Sequence, residues 1–293
     1  MTDEKRFDPV AVRDAFSLLS DETRVQILLC LFDRDDPCTF SELRAHAGIE
    51  DSGRFNYHLG QLVGTFVRKQ SGQGTTGYTL TYAGNRIVGS IASGSFTREV
   101  SIESQRLAAS CVRCDTRLKL QYESEQLSVA CCSCEYSLIS AGVPPALIER
   151  TGHDDLPTTF ERWARSSHGH VTNGFCWRCD GPVSTTLVDL DAIPDAFADL
   201  LPVELTCEWC GATYSSVVGG LVLGASPVIV FHYEHGIDIA TTPLWELSWP
   251  FEPHAAIRST DPLSIDVWIE LDGDRLELVL DETFAIIESE PHL

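Results

Sequence analysis

Eight of the eleven cysteines in this chain stand in four pairs, each pair separated by two residues. They are Cys111-Val-Arg-Cys114, Cys131-Cys132-Ser-Cys134, Cys176-Trp-Arg-Cys179 and Cys207-Glu-Trp-Cys210. Two thiolates at this spacing fit on one tight turn and face one ion. Two such turns brought together by a hairpin complete a tetrahedral site of four sulfurs. The gaps within successive couples are 16 and 27 residues, which suits one hairpin each. The sequence therefore predicts two zinc ribbons, at about 109–140 and 174–216, holding two structural ions. The first uses Cys111, Cys114, Cys131 and Cys134; the second uses Cys176, Cys179, Cys207 and Cys210. Cys131 rather than Cys132 keeps the spacer. Four thiolates also fit an iron–sulfur cluster. A single pair of this spacing also serves as a redox dithiol, but only at the start of a helix that follows a strand.

The 293 residues suggest two domains or three, with 43% hydrophobic residues for their cores. No apolar run approaches the length of a membrane span. The start, Met1-Thr-Asp-Glu-Lys-Arg6, has no apolar segment of the kind a signal peptide needs. A cytoplasmic protein with no membrane partner is expected, and there eleven cysteines are not a disulfide framework. Cys30 lies in the apolar run Ile27–Leu31 and reads as core, whereas Cys38 opens a polar turn and reads as incidental. No phosphate-binding glycine loop, nucleophile elbow, deaminase signature or zinc-peptidase helix occurs, so no enzyme is expected. His232 and His235 match no peptidase spacing and read as surface or satisfied residues.

Charge is the second constraint. The chain carries 43 Asp and Glu against 21 Lys and Arg, a net of −22, and only three of its basic residues are Lys. Acidic, Lys-poor composition resembles that of proteins from extreme halophiles, whose cytoplasmic salt screens the self-repulsion. The excess is uneven. Residues 99–293 hold a net of −21, but residues 40–98 hold 6 basic and 3 acidic residues. A surface that must approach a polyanion needs such relief.

That basic stretch has a recognisable order of elements. Helices are expected over Val10–Leu19, after Ser20-Asp21, after Thr39-Phe-Ser-Glu42, and from Asp51-Ser52 to about Val63. A hairpin follows, with strands Phe66–Gln70 and Tyr78–Thr81 around a Gly-rich tip Ser71–Gly77, and then a helix Tyr82–Ile91. On the helix 52–63, Phe55, Leu59 and Leu62 share the core side at 100° per residue. Tyr57 lies opposite, flanked by Gly53, Arg54, Gly60 and Gln61. Two glycines permit close approach to a phosphate backbone. Arg54, Gln61 and, at the margin, Asn56 can read base edges in the major groove. Ser52 begins the helix, Tyr57 can donate to a phosphate, and Arg68 and Lys69 begin the hairpin. His58 reads as packing.

The segments Leu19–Leu28, Phe40–Leu43, Phe55–Leu59 and Gly77–Gly84 together resemble the ArsR-like winged helix-turn-helix regulators, over about one third of the chain. The resemblance implies a DNA-binding domain at 1–92, a recognition helix at 52–63, a backbone-contacting wing at 67–80, and a homodimer on double-stranded DNA. The metal-sensing members carry Cys-x-Cys in the short helix; Phe40–His46 has no cysteine.

A linker is expected at 93–108, then a C-terminal domain at 109–293. Helices are expected at Pro144–Arg150, Thr158–Ser167 and Pro243–Leu247, with Ala225–His235 as helix or buried strand. Strands are expected at 264–271, 275–280 and 284–287, with Asp272-Gly273 as a tight turn. This layout resembles a C-terminal domain of haloarchaeal regulators. The fold class expected is thus α+β: a winged helix-turn-helix, then two four-cysteine zinc ribbons and a small antiparallel sheet. The expected function is a sequence-specific transcriptional regulator whose C-terminal domain serves dimerisation, partner contact or sensing. Archaeal transcription factor E also couples a winged helix with a ribbon. A basal factor that contacts the transcription machinery is the alternative reading.

Overall fold

The computed structural model describes residues 8–34, 36–72, 75–189, 200–247 and 249–292. The charged start and the hairpin tip at 73–74 lie outside them. The chain is a mixed α+β structure with several antiparallel sheets, and it divides into two compact units. One comprises the residues up to Glu99 together with Pro144–Arg150; the other comprises Val100–Val143 and Thr151 onward. Among the described residues no helix is long and apolar enough to cross a membrane.

In the first unit, α1 (Pro9–Ser17), α2 (Glu22–Phe32), α3 (Phe40–His46) and α4 (Ser52–Leu62) each start at a side-chain cap. Asp8, Asp21 and Asp51 accept the free N–H groups of the first turns, and Thr39 with Glu42 forms a capping box. Strands β1 (Val67–Gly72) and β2 (Thr75–Leu80) pair from Val67↔Leu80 to Gly72↔Thr75. They run well into the segment expected as a loose tip. Helix α5 (Tyr82–Ala92) follows, capped by Thr81. The core is Ile27, Leu28 and Leu31 of α2, Leu43, Phe55, Leu59, Leu62, Tyr78, Leu80 and Val88.

Cys38 is not incidental. It is buried in this core and exchanges both backbone hydrogen bonds with Tyr78, at 3.0 and 2.8 Å. Its apolar thiol suits a position that the polar residues around it disguise. Cys30 is half-buried at the edge of the same core. Helix α6 (Pro145–Arg150), which follows the first cysteine couple in sequence, groups with this unit. Ala146 N–H donates to Ser93 O at 3.0 Å, and Arg98 pairs with Glu149.

Gly84 fixes how α5 meets the hairpin. A Cβ there would stand 2.2 Å from Phe66 O. Alanine normally favours a helix over glycine by about 0.5–1 kcal/mol. Here the sign should reverse. Gly84→Ala is expected to destabilise the unit by about 1–3 kcal/mol through forced displacement of the Phe66 backbone, just before β1, read as a lower urea midpoint at unchanged slope.

The second unit begins with a four-stranded antiparallel meander, β3 (Ile102–Ser110), β4 (Arg117–Glu123), β5 (Gln126–Cys131) and β6 (Ser137–Gly142). Strand β3 corrects the expected linker 93–108. It is an edge strand that buries only Leu107, so it shows no alternating apolar pattern. Helix α7 (Leu156–Thr172) leads to β7 (Val183–Leu187), β8 (Pro202–Cys207) and β9 (Thr213–Val217), a three-stranded sheet. A short helix, α8 (Val218–Leu221), and α9 (Ser226–Glu234) follow.

The tail forms four strands rather than three: β10 (Ala255–Thr260), β11 (Leu263–Leu271), β12 (Asp274–Leu280) and β13 (Ile286–His292). Asp272 and Gly273 both have positive φ, 53° and 98°, as a two-residue hairpin turn requires. The last strand starts at Ile286, because Phe284 takes φ 63° in the turn before it. One core joins this sheet to the second cysteine sheet. Ile265, Val267 and Ile269 of β11 and Leu276, Leu278 and Leu280 of β12 meet Val203, Leu205, Val228 and Phe231.

Candidate metal centres

The four cysteine pairs close into two clusters with the expected partners. In each, the four Sγ atoms lie within 4.8 Å of one another. Cys114 Sγ is 3.4 Å from Cys131 and 3.6 Å from Cys134, and Cys111 is 3.8 Å from Cys134. Cys176 is 3.6 Å from Cys210, and Cys179 is 3.5 Å from Cys207. Sulfurs about 2.3 Å from one Zn²⁺ stand about 3.8 Å apart at tetrahedral corners. The observed separations match that frame, so all eight cysteines can hold a metal ion, four to each site. Cys132 is exposed and outside the cluster, as the spacer rule requires.

The local backbone explains why these turns form. The residue after the second cysteine of each pair is in the left-handed region: Asp115 at 54°, Glu135 at 56°, Asp180 at 59° and Gly211 at 69°. This bend lets N–H groups point back at sulfur. Arg113 and Ser133 donate to Cys111 and Cys131 at 3.4 and 3.3 Å, and Arg178 donates to Cys176 at 3.4 Å. Cys210 N–H reaches Cys207 Sγ at 3.5 Å. Such donors stabilise thiolates. Asp or Gly after the later cysteine in three of the four pairs is a sequence signal for the bend that the spacing argument did not use.

The thiols cannot all ionise without a cation. Hydrogen bonds from Thr116 and neighbouring thiols bring Cys114 down to about 6. Cys134 receives the Tyr136 N–H but is pushed up to about 12 by burial and by the surrounding thiolates. The second cluster divides the same way. The Cys210 N–H brings Cys207 down to about 6, while Cys179 rises to about 12 despite the Gly181 N–H, through burial and its thiolate neighbours. A divalent ion removes that repulsion and holds all four as ligands. The donor set fits a closed, four-coordinate site with no position open to a substrate.

The residues expected to meet DNA occupy one exposed side of α4. Ser52, Gly53, Arg54, Asn56, Tyr57 and Gln61 are all exposed, and Tyr57 is 61% exposed. Phe55, Leu59 and Leu62 are buried on the other side. Arg54 makes a long contact to Thr23 Oγ1 at 3.4 Å. His58 is tucked in, with Nδ1 3.3 Å from Asp21 Oδ1. On β1, Arg68 donates to Thr79 Oγ1 at 3.1 Å, and the Lys69 ammonium lies 5.7 Å from the Tyr78 ring centre.

His232 and His235, which match no peptidase spacing, divide. His235 is satisfied, with Nδ1 on Phe231 O at 2.7 Å and Nε2 on Asp274 at 3.1 Å. His232 is fully buried; its Nδ1 meets Val228 O at 2.7 Å, and its Nε2 has no hydrogen-bond partner among the described residues.

The family model described as Domain of unknown function (DUF7351) matches residues 108–286, more than half of the chain. A second, Domain of unknown function (DUF7347), matches residues 12–91. No curated protein and no solved structure matches the chain.

Proposed function

We propose that this chain, which belongs to the DUF7351 family, is a sequence-specific DNA-binding transcriptional regulator with two structural zinc ions. The observation that carries the reading is the face of α4. It is exposed, it bears Arg54, Asn56, Tyr57 and Gln61, and it falls in a stretch of an acidic chain, residues 40–98, that has an excess of basic residues. The first unit is read as an ArsR-like winged helix-turn-helix, with α4 in the major groove and β1–β2 on the backbone. The second unit, with both four-cysteine sites, serves dimerisation, partner contact or sensing. A homodimer on a two-fold DNA site is the assembly this reading expects.

Phosphate contacts lose most of their affinity at high salt, because counterion release loses its driving force. In a salt-filled cytoplasm, recognition therefore rests on base contacts, DNA shape and dimerisation. A regulator there needs only modest basicity.

The test is chromosomal occupancy, mapped by crosslinking in the native cell. A few discrete peaks sharing a two-fold motif are expected. Occupancy over most active promoters would overturn the reading in favour of a basal factor that contacts the transcription machinery.

A further inference from the structure

Helix α9 carries the run Pro227-Val-Ile-Val-Phe231 with Tyr233 close behind, so it is apolar nearly all round. A helix of that kind is normally buried on every side. This one is buried on one side only. Val228, Phe231 and His232 are buried, and Val228 and Phe231 belong to the core of the second unit. Ile229, Val230 and Tyr233 face out, at 42%, 54% and 76% exposed. At 3.6 residues per turn, these three and the exposed Ser226 share one arc of about 100°, away from the buried residues. Glu234 stands at the edge of that arc and ends the helix.

Local propensity does not account for this face. Val228, Ile229 and Val230 are three β-branched residues in a row, and each loses side-chain freedom in a helix. Water-facing helix positions favour Ala, Glu and Lys instead. Ile229 and Val230 are therefore costly where they stand unless another surface covers them.

Charge selects the cover. Trp209–Tyr233 contains no Asp, Glu, Lys or Arg, the longest such run in the chain. Yet residues 99–293 as a whole carry 31 acidic and 10 basic residues. A closed two-fold interface sets one patch against the same patch of a second copy. An acidic patch repels its own copy, whereas an uncharged apolar patch is complementary to itself. Shape agrees. The outer stripe of α9 is bulky at its end, with Tyr233, and small at its start, with Ser226. Gly224, just before the helix, is exposed, and a Cβ built there would meet nothing within 4 Å. Antiparallel pairing sets the bulky end of each copy on the small end of the other.

We infer that two copies of this chain meet through the outer faces of α9, antiparallel about a two-fold axis. Tyr233 of each copy lies on Ser226 and Gly224 of the other, and Ile229 and Val230 meet at the centre. This deepens the homodimer of the proposed function by naming its surface in the second unit, and it rests on that reading only for what the dimer serves. One helix pair is smaller than a standard interface, so a concentration-dependent dimer with a Kd on the order of micromolar is expected. Salt screens repulsion between the acidic copies without screening an apolar contact.

The experiment measures the mass of the full-length, metal-loaded protein by sedimentation across a range of concentrations and KCl, without DNA. A dimer that tightens as KCl rises is expected. Val230→Glu and Tyr233→Glu should each weaken it at least tenfold, since each copy then presents a carboxylate to the other. Tyr233→Ser should weaken it about tenfold without adding charge. Both positions are exposed, so metal content and melting of the isolated chains should hold.

A wild type that stays monomeric overturns the inference. A wild-type dimer left unchanged by all three variants overturns it too. The interface would then lie elsewhere, and loss of the dimer in Phe16→Glu would place it on the exposed apolar side of α1. A dimer that loosens as KCl rises would mark an interface of ion pairs and overturn it equally. Because DNA is absent, failure of the DNA-binding reading would leave these results standing.

Discussion

Replacing Cys207 by serine is expected to release one of two metal ions per chain and to melt the core of the second unit. Cys207 ends β8, and Val203 and Leu205 of that same strand are buried in the core shared with the tail sheet. An ion bound there would thus anchor a strand that the larger core depends on. Structural zinc contributes about 10–16 kcal/mol in small peptides near neutral pH. Whole domains are stable by only about 5–15 kcal/mol. Even a fraction of the ion's contribution therefore decides whether this unit folds. Metal analysis of the purified variant should fall from two ions to one, with a loss of at least one cooperative thermal transition. Cys132→Ser should keep both ions and the wild-type melt, because its thiol lies outside the cluster. Acidification should release metal from the wild type as well, since protons compete for the thiolates. Two ions retained in Cys207→Ser, with an unchanged melt, would show that Cys207 does not hold an ion.

A double substitution of Arg54 and Gln61 by alanine should abolish preference for the operator without changing stability. A bidentate side-chain contact to a base is worth about 1–3 kcal/mol of discrimination. Loss of two such contacts lowers specific affinity by roughly 30-fold or more, taking one factor of ten per 1.4 kcal/mol. Both residues are exposed and outside the core, so the melting temperature should hold. Arg68→Ala and Lys69→Ala should behave differently. They should weaken binding to every sequence alike and reduce the slope of log affinity against log salt by about one each. The check is a binding titration at several KCl concentrations against the fragment recovered from the crosslinking map. Full specificity in the Arg54 and Gln61 double variant would remove α4 from the proposed interface and leave its exposed face to protein contacts.

The cysteine clusters were legible because their determinants are local. Two residues between cysteines set a turn, and a hairpin of modest length brings two turns together. The same holds for the capped helices, where Asp21, Thr39 and Asp51 each stand beside the N–H groups they accept. The Asp272-Gly273 turn belongs with them. Other elements were not legible. Strand β10 has a half-buried pattern built on Ala255 and Ile257, too weak to separate it from a loop. Strand β3 buries a single residue. Cys38 sits among polar neighbours, and only its pairing with Tyr78 makes it core.

By itself the sequence determined which cysteines cluster, where helices start and which side of α4 is apolar, because those depend on neighbours a turn or a hairpin away. Only the tertiary structure decided which edge strands exist, which unit α6 joins and that Cys38 is core, because burial and pairing depend on segments that meet only when the chain has packed.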